Sequence, residues 1–284
     1  MGRNQTSASP GIGNNVDIKK DLKRAETAAV GAARSVGTLL KRHLAEAKRA
    51  HTVTQHDIKL ELDVRSQRLI ERALRSAFPN VALLGEEGVA GKQDADFRWV
   101  VDPIDGTVNF AYGIPHACVS IALQGRKAKS AASTYEDGYQ TLVGVVFDPF
   151  CNELWTAITG APARMNGRVI RVSERTKVSE SIVSIGFAKT KKTLEHTLPY
   201  FNQLVHRVRK IRIMGSAALA LTYVATGRFD AYIERGISLW DVAAGGLILE
   251  CAGGEFWRQA ISGDHKYRMI ASNGRLRRSL RVPD

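Results

Sequence analysis

Four acidic positions in this 284-residue chain sit where turn residues could aim them at a common point. The densest group is in W-V-V-D-P-I-D-G-T-V-N-F, residues 99–110, where Asp102 and Asp105 flank Pro103 and Ile104 and are followed by Gly106. Proline fixes its own φ, and glycine reaches backbone conformations that a side chain forbids. Such a turn can direct both carboxylates and the Ile104 carbonyl to one place. Converging hard oxygens are the donor set that Mg²⁺ takes. The Gly106 and Thr107 amides would then face an anion, the more so if a helix starts there. Read alone, D-P-x-D-G is also an ordinary Asx/proline turn.

Glu86 and Glu87 in G-E-E-G close a short apolar run at residues 81–84. In isolation they read as solvated acids. If that strand lies parallel to the one ending at Asp102, Glu86 arrives beside Asp102 and Asp105, and only one of the two glutamates need face a metal. Asp241, in L-W-D-V-A-A-G-G, stands at the start of a helix rich in tiny residues. Locally, N-capping accounts for it, as it does for Asp63 ahead of an amphipathic run.

The elements that must position these groups follow from periodicity. Residues 17–50 form an amphipathic helix pattern through Leu22, Ala25, Ala29, Ala32, Val36 and Leu40. Residues 56–63 alternate and look extended, and a helix from about Val64 to Ala77 is stopped by Pro79. Strands are expected at 97–101, 117–123, 142–147 and 153–157, with residues 124–140 as a long exposed connection. Asn166–Gly167 makes a hairpin turn. This half reads as helices against an antiparallel sheet.

Beyond about residue 175 the pattern alternates. Strands at 182–185, 211–213, 231–233 and 269–271 are separated by helices at about 194–208, 217–226 and 242–251, an α/β arrangement. The division is therefore a polar leader over residues 1–16, an α+β half over 17–175 with most of the acids, and an α/β half over 176–284 with Asp241.

Composition excludes several classes. With 44% hydrophobic and 24% charged residues the chain is globular. No apolar run spans a bilayer, and the first residues lack the apolar core of a secretory signal. The M-G-x-x-x-[ST] pattern at Gly2 and Thr6 matches a myristoylation motif, but so short a pattern often arises by chance, and a disordered polar leader is the better reading. Cys118, Cys151 and Cys251 are too scattered for a disulfide framework or a zinc site, which fits a reducing cytoplasm. The net charge of +13 would attract phosphorylated molecules or nucleic acid. However, the basic residues are dispersed and not interleaved with stacking aromatics, which favours a surface bias over a nucleic-acid role.

Together, G-E-E-G, W-V-V-D-P-I-D-G-T-V-N-F, G-S-A-A-L and L-W-D-V-A-A-G-G closely resemble the signatures of the inositol monophosphatase family over about residues 17–275. The resemblance implies a layered αβαβα sugar-phosphatase fold, commonly a homodimer. It also implies a Mg²⁺-dependent phosphomonoesterase acting on a small phosphate monoester through a metal-activated water. By position, Glu86, Asp102 and the Ile104 carbonyl would hold one Mg²⁺. Asp102, Asp105 and Asp241 would hold a second, and a third would lie near Glu86. Asp63 and Thr107 would activate the attacking water. Gly106 and Thr107 would take the phosphate, and Asp105, Ala217 and Glu234 would face substrate hydroxyls.

Inositol monophosphate is the first substrate expectation, because D-G-T-V-N-F is typical of inositol-type members. Fructose 1,6-bisphosphate, histidinol phosphate and 3′-phosphoadenosine 5′-phosphate are alternatives, as is a non-catalytic basic binding protein on the same fold. The intact acid set favours the enzyme. Leu60 replaces the threonine common in the family, and H-T-V-T-Q-H-D-I-K departs from its usual metal-binding loop. That leaves the third ion and lithium sensitivity open.

Overall fold

In the computed structural model, residues 18–46, 50–53, 58–126, 134–187 and 191–281 are described. The leader expected over residues 1–16 lies outside them. The chain runs through α1 (Ile18–His43), β1 (Ala50–Val53), β2 (Ile58–Leu60), α2 (Glu61–Ala77), β3 (Ala82–Gly85), β4 (Gly88–Ala90), β5 (Phe97–Asp105) and α3 (Thr107–Ala111). It continues through β6 (Cys118–Arg126), β7 (Tyr139–Asp148), β8 (Glu153–Ile158), β9 (Arg164–Met165) and β10 (Arg168–Val169). The second half holds β11 (Ile182–Ile185), α4 (Lys191–Val205), β12 (Lys210–Arg212), α5 (Ala217–Ala225), β13 (Ala231–Ser238), α6 (Leu239–Cys251), β14 (Glu255–Ala260) and β15 (Lys266–Ser272).

These elements stack in five layers, αβαβα. An eight-stranded sheet has the order β10-β9-β8-β7-β6-β5-β3-β4, and a five-stranded sheet the order β12-β11-β13-β15-β14. Helices α1 and α2 cover the outer face of the first sheet, where Ala25, Ala29, Val36, Leu40, Ile70 and Leu74 pack on Trp99, Val101, Ile121 and Val145. Helices α5 and α6 lie between the sheets and touch both, which is why they are apolar on every side rather than along one stripe. Helix α4 closes the outer face of the second sheet through Leu204, packed with Val183, Ile233 and Ile270.

The tiny residues of α6 serve this middle position. A Cβ on Gly144 of β7 would lie 2.7 Å from the Ala244 carbonyl, so sheet and helix backbones approach directly. As expected, the first sheet is an antiparallel meander with one parallel pair, β3 beside β5, in the register Leu84↔Val100 and Gly85↔Val101. Asn166 and Gly167, both with positive φ, turn β9 into β10.

Several boundaries differ from the sequence reading. Helix α1 ends at His43 rather than near residue 50. Helix α2 begins at Glu61, which places Asp63 inside its first turn instead of at the cap, where an acid still favours the helix dipole. Helix α4 starts and ends three residues early and passes through Pro199. Strand β14 was not anticipated.

The connection at 124–140 is not simply exposed. Strand β6 runs to Arg126 and β7 begins at Tyr139. Tyr135 is buried edge-on against Tyr267, with the Arg258 guanidinium 3.8 Å over its ring. Asp137 pairs with the buried Arg98 at 2.5 Å. Aromatic and acidic residues in this stretch found partners that local composition cannot reveal. All three cysteines are free thiols, and no described helix is long and apolar enough to cross a membrane.

Candidate active site

Strand β5 breaks register with β6 between Asp102 and Asp105. At that break Asp102 Oδ1 accepts the Ile104 N–H at 3.0 Å, so the carboxylate folds back over its own turn. Gly106 follows at φ 93°, ψ 34°, a left-handed conformation, and releases the chain into the short helix α3. The parallel neighbour β3 extends the ladder by one bond, from Glu86 N–H to the Val101 carbonyl at 3.1 Å. This brings Glu86 beside Asp102, close enough for its charge to act on that carboxyl. Glu86 lines the cleft, whereas Glu87 does not, and its N–H is taken by Gln67 Oε1 at 3.0 Å.

Asp241 reaches the same point from the other half. It is the third residue of α6, and Ser238, not Asp241, occupies the N-cap. Asp241 Oδ2 accepts the Ser238 N–H at 2.9 Å. Oxygens of Asp102, Asp105 and Asp241 lie within 4.8 Å of one another. With Glu86, Ile104, Gly106, Thr107, Ala217 and Glu234 they line a cleft of about 560 Å³. The described structure thus gathers every expected site residue except Asp63 into one cleft wall. Asp63 is buried in the first turn of α2, where its charge acts on Glu86.

The acids resist ionising together. Burial, then Asp241 and Asp63, push Glu86 up to about 8. Burial, then Glu86 and Asp105, hold Asp102 well above the usual carboxylate range. Burial and Asp105 raise Asp241 to about 6, against the opposing pull of the Ser238 N–H and Lys266. Lys266 itself donates to Ser238 Oγ at 2.5 Å. A buried acid group held this way needs either protons or cations. Carboxylates with one backbone carbonyl, and no thiolate or imidazole among them, suit a hard divalent ion.

Asp105 has an additional set of partners. Its Oδ2 accepts Ser216 Oγ–H at 2.5 Å and Ala218 N–H at 2.7 Å, and its Oδ1 accepts Ala217 N–H at 3.1 Å. The thiol of Cys118 approaches Oδ2 at 3.6 Å. These donors oppose the upward shift that burial imposes on Asp105. Ala217 therefore spends its amide on Asp105.

Thr107 Oγ1 donates to the Ile104 carbonyl at 2.8 Å. Asn109 donates to the His116 and Met214 carbonyls, each at 2.9 Å, and so ties α3 to the loop before α5. Tyr232 donates to Glu234 Oε2, and burial raises Glu234 to about 7. Ser216, Cys118, Asn109 and Tyr232 were not assigned roles from sequence. G-S-A-A-L carried a signal for Ser216 and D-G-T-V-N-F one for Asn109; Cys118 and Tyr232 had none.

The model of the inositol monophosphatase family matches residues 21–277. A protein named Nus factor SuhB from Xylella fastidiosa is 41% identical over 236 residues, 82% of this chain and 81% of that one. Inositol monophosphatase 1 of Solanum lycopersicum is 36% identical over 233 residues, 80% of this chain and 81% of that one. Among solved structures, inositol monophosphatase from Anabaena superposes with a TM-score of 0.75 at 34% identity, covering 90% of this chain and 93% of that one.

Proposed function

This chain belongs to the inositol monophosphatase family, and from that premise we propose that it hydrolyses a polyol or sugar phosphate with Mg²⁺, inositol monophosphate first. It is a phosphoric monoester hydrolase. The observation that carries the reading is the convergence of Asp102, Asp105 and Asp241 within 4.8 Å, from both halves of the chain, on a cleft that also holds Glu86.

In this reading Glu86, Asp102, Asp105, Asp241 and the Ile104 carbonyl would hold two or three Mg²⁺. When bound, the ions would supply charge neutralisation at the phosphoryl group, an acidified water and stabilisation of the departing alkoxide. The chain's own groups do the rest. Thr107 and Asp63 orient the attacking water and take its proton. The Gly106 and Thr107 amides receive phosphate oxygens. Glu234 and the turn at Ala217 face the alcohol portion. Water oxygen bonds to phosphorus as the ester P–O bond breaks in line; the departing alkoxide oxygen takes a proton from solvent, and the proton taken from the attacking water is returned to solvent. No covalent enzyme intermediate is needed.

The test is phosphate release at fixed Mg²⁺ from inositol 1-phosphate, fructose 1,6-bisphosphate, histidinol phosphate and 3′-phosphoadenosine 5′-phosphate. Preference for inositol 1-phosphate is expected. Silence across the panel with Mg²⁺ binding intact overturns the reading.

A second reading, a binding role on the same fold, is favoured by the Nus factor name of several relatives together with the net charge of +13. Salt-sensitive retention of RNA without phosphate release would support it. The proposal includes a homodimer in a reducing cytoplasm. Tyr112 and Ile114, 74% and 49% exposed beside the cleft, are apolar surface that a second copy would cover. Light scattering tests that point.

A further inference from the structure

Strand β13 carries Tyr232 and Glu234 two residues apart, hence on one face of the sheet. Both line the cleft, and neither belongs to the trio that could hold a metal. Tyr232 is only 3% exposed, and its hydroxyl donates to Glu234 Oε2. Gly186, the residue just past the end of the parallel neighbour β11, bounds the same carboxylate. A Cβ built there would lie 1.8 Å from Oε2 and 2.8 Å from Oε1. Gly186 is itself fixed by its N–H bond to the Ile233 carbonyl at 3.0 Å, and its φ lies outside the left-handed region. Backbone geometry therefore does not demand glycine at 186. The space does. Any side chain there would displace the Glu234 carboxylate, which the buried phenol holds in place.

We propose that Tyr232 is a positioning residue which, with the side-chain-free position at Gly186, fixes Glu234 as the acceptor for hydroxyl groups on the leaving alcohol. It thereby selects hydroxyl-bearing phosphate monoesters over plain ones. This rests on the phosphatase reading above and extends it to the residues that set leaving-group choice. Sites built to hydrogen-bond a substrate hydroxyl discriminate strongly, because the analogue lacking it leaves buried polar groups unpaired.

The experiment compares the fastest hydroxyl-bearing substrate of the panel with 4-nitrophenyl phosphate, whose leaving group has no alcohol hydroxyl. In Tyr232→Phe the ratio of the two kcat/KM values should fall about 10-fold, chiefly through KM of the hydroxyl-bearing substrate. Gly186→Ala, which pushes on the same carboxylate from the other side, should lower the ratio in the same direction. In a Glu234→Gln background, Tyr232→Phe should change the ratio less than about 2-fold, because its effect passes through Glu234. An unchanged ratio, or an equal fall for both substrates, overturns the proposal. If the wild-type protein releases phosphate from neither substrate, the phosphatase reading fails first and takes this inference with it. That outcome is distinct from an active enzyme with an unmoved ratio.

Discussion

Ser216 donates its hydroxyl to Asp105 Oδ2 at 2.5 Å across a sequence separation of 111. With the Ala217 and Ala218 amides, it turns the start of α5 into a socket for a carboxylate delivered by β5. An acid from the first half thus caps a helix of the second, and its ionised form is the one those donors favour.

Replacing that hydroxyl should be felt twice. Ser216→Ala should cost about 1–3 kcal/mol of stability, the range for a hydrogen bond to a charged group, read from the urea midpoint. It should also weaken Mg²⁺ binding about 10-fold, as loss of a group behind a metal ligand does. Ser216→Thr should restore most of both. An alanine variant with wild-type Mg²⁺ affinity would contradict the role given to Asp105.

Asp102→Asn should separate folding from chemistry. Asp102 is 2% exposed, and its neighbours Glu86, Asp105 and Asp241 all oppose its charge. The amide keeps an acceptor for the Ile104 N–H while removing that repulsion. The metal-free variant should therefore melt above wild type, by about 2–4 °C for each kcal/mol of repulsion relieved. It should lose phosphate release and the Mg²⁺-induced rise in melting temperature. A variant that melts lower and still turns over would refute the assignment.

Metal-free stability should fall as pH rises. Glu86 holds its proton to about 8, Glu234 to about 7 and Asp241 to about 6, all above their ordinary values. The unfolded chain releases those protons at lower pH, so between the two the folded state binds more protons and loses stability with each step upward. Thermal melts without metal should decline from about pH 5 to about pH 8. Mg²⁺ must displace the protons on Glu86 and Asp241, so the gain it gives should grow over that window. Calorimetry in two buffers of different ionisation enthalpy should detect proton release on binding.

Gly106→Ala tests the turn. Its Cβ would stand 2.9 Å from the His116 carbonyl and 3.3 Å from that of Gly215, both backbone, at φ 93°. No flexible side chain can yield there. A loss of more than about 1 kcal/mol is expected together with lower kcat. A stable, fully active alanine variant would mean that this loop adapts.

Glu86, Asp102 and Asp105 were legible in the sequence because they stand at the ends of apolar runs beside turn residues, and because two such ends, at Glu86 and Asp102, invite parallel pairing; Asp63 and Asp241 read locally as caps and were singled out only by the family resemblance. The antiparallel meander and the alternating second half were legible as periodicity. What joins distant segments was not. Nothing near Ser216 points to Asp105, and nothing near Gly186 points to Glu234, since each pairing is made by sheet and helix packing rather than by spacing. The N-cap of α6 was misplaced onto Asp241 because Ser238 and Asp241 form one capping box, in which either could serve as cap. Tyr135 read as part of an exposed connection because its partners, Tyr267 and Arg258, lie more than a hundred residues away.

The acid trio draws on β5 and on α6, so it cannot exist in a chain that a ribosome has extended only through the first sheet. A nascent protein of that length would hold Asp102 and Asp105 without Asp241 and without the α5 socket for Asp105. An ion held by all three acids would therefore report that synthesis has passed residue 241 and that the two sheets have closed on the helices between them.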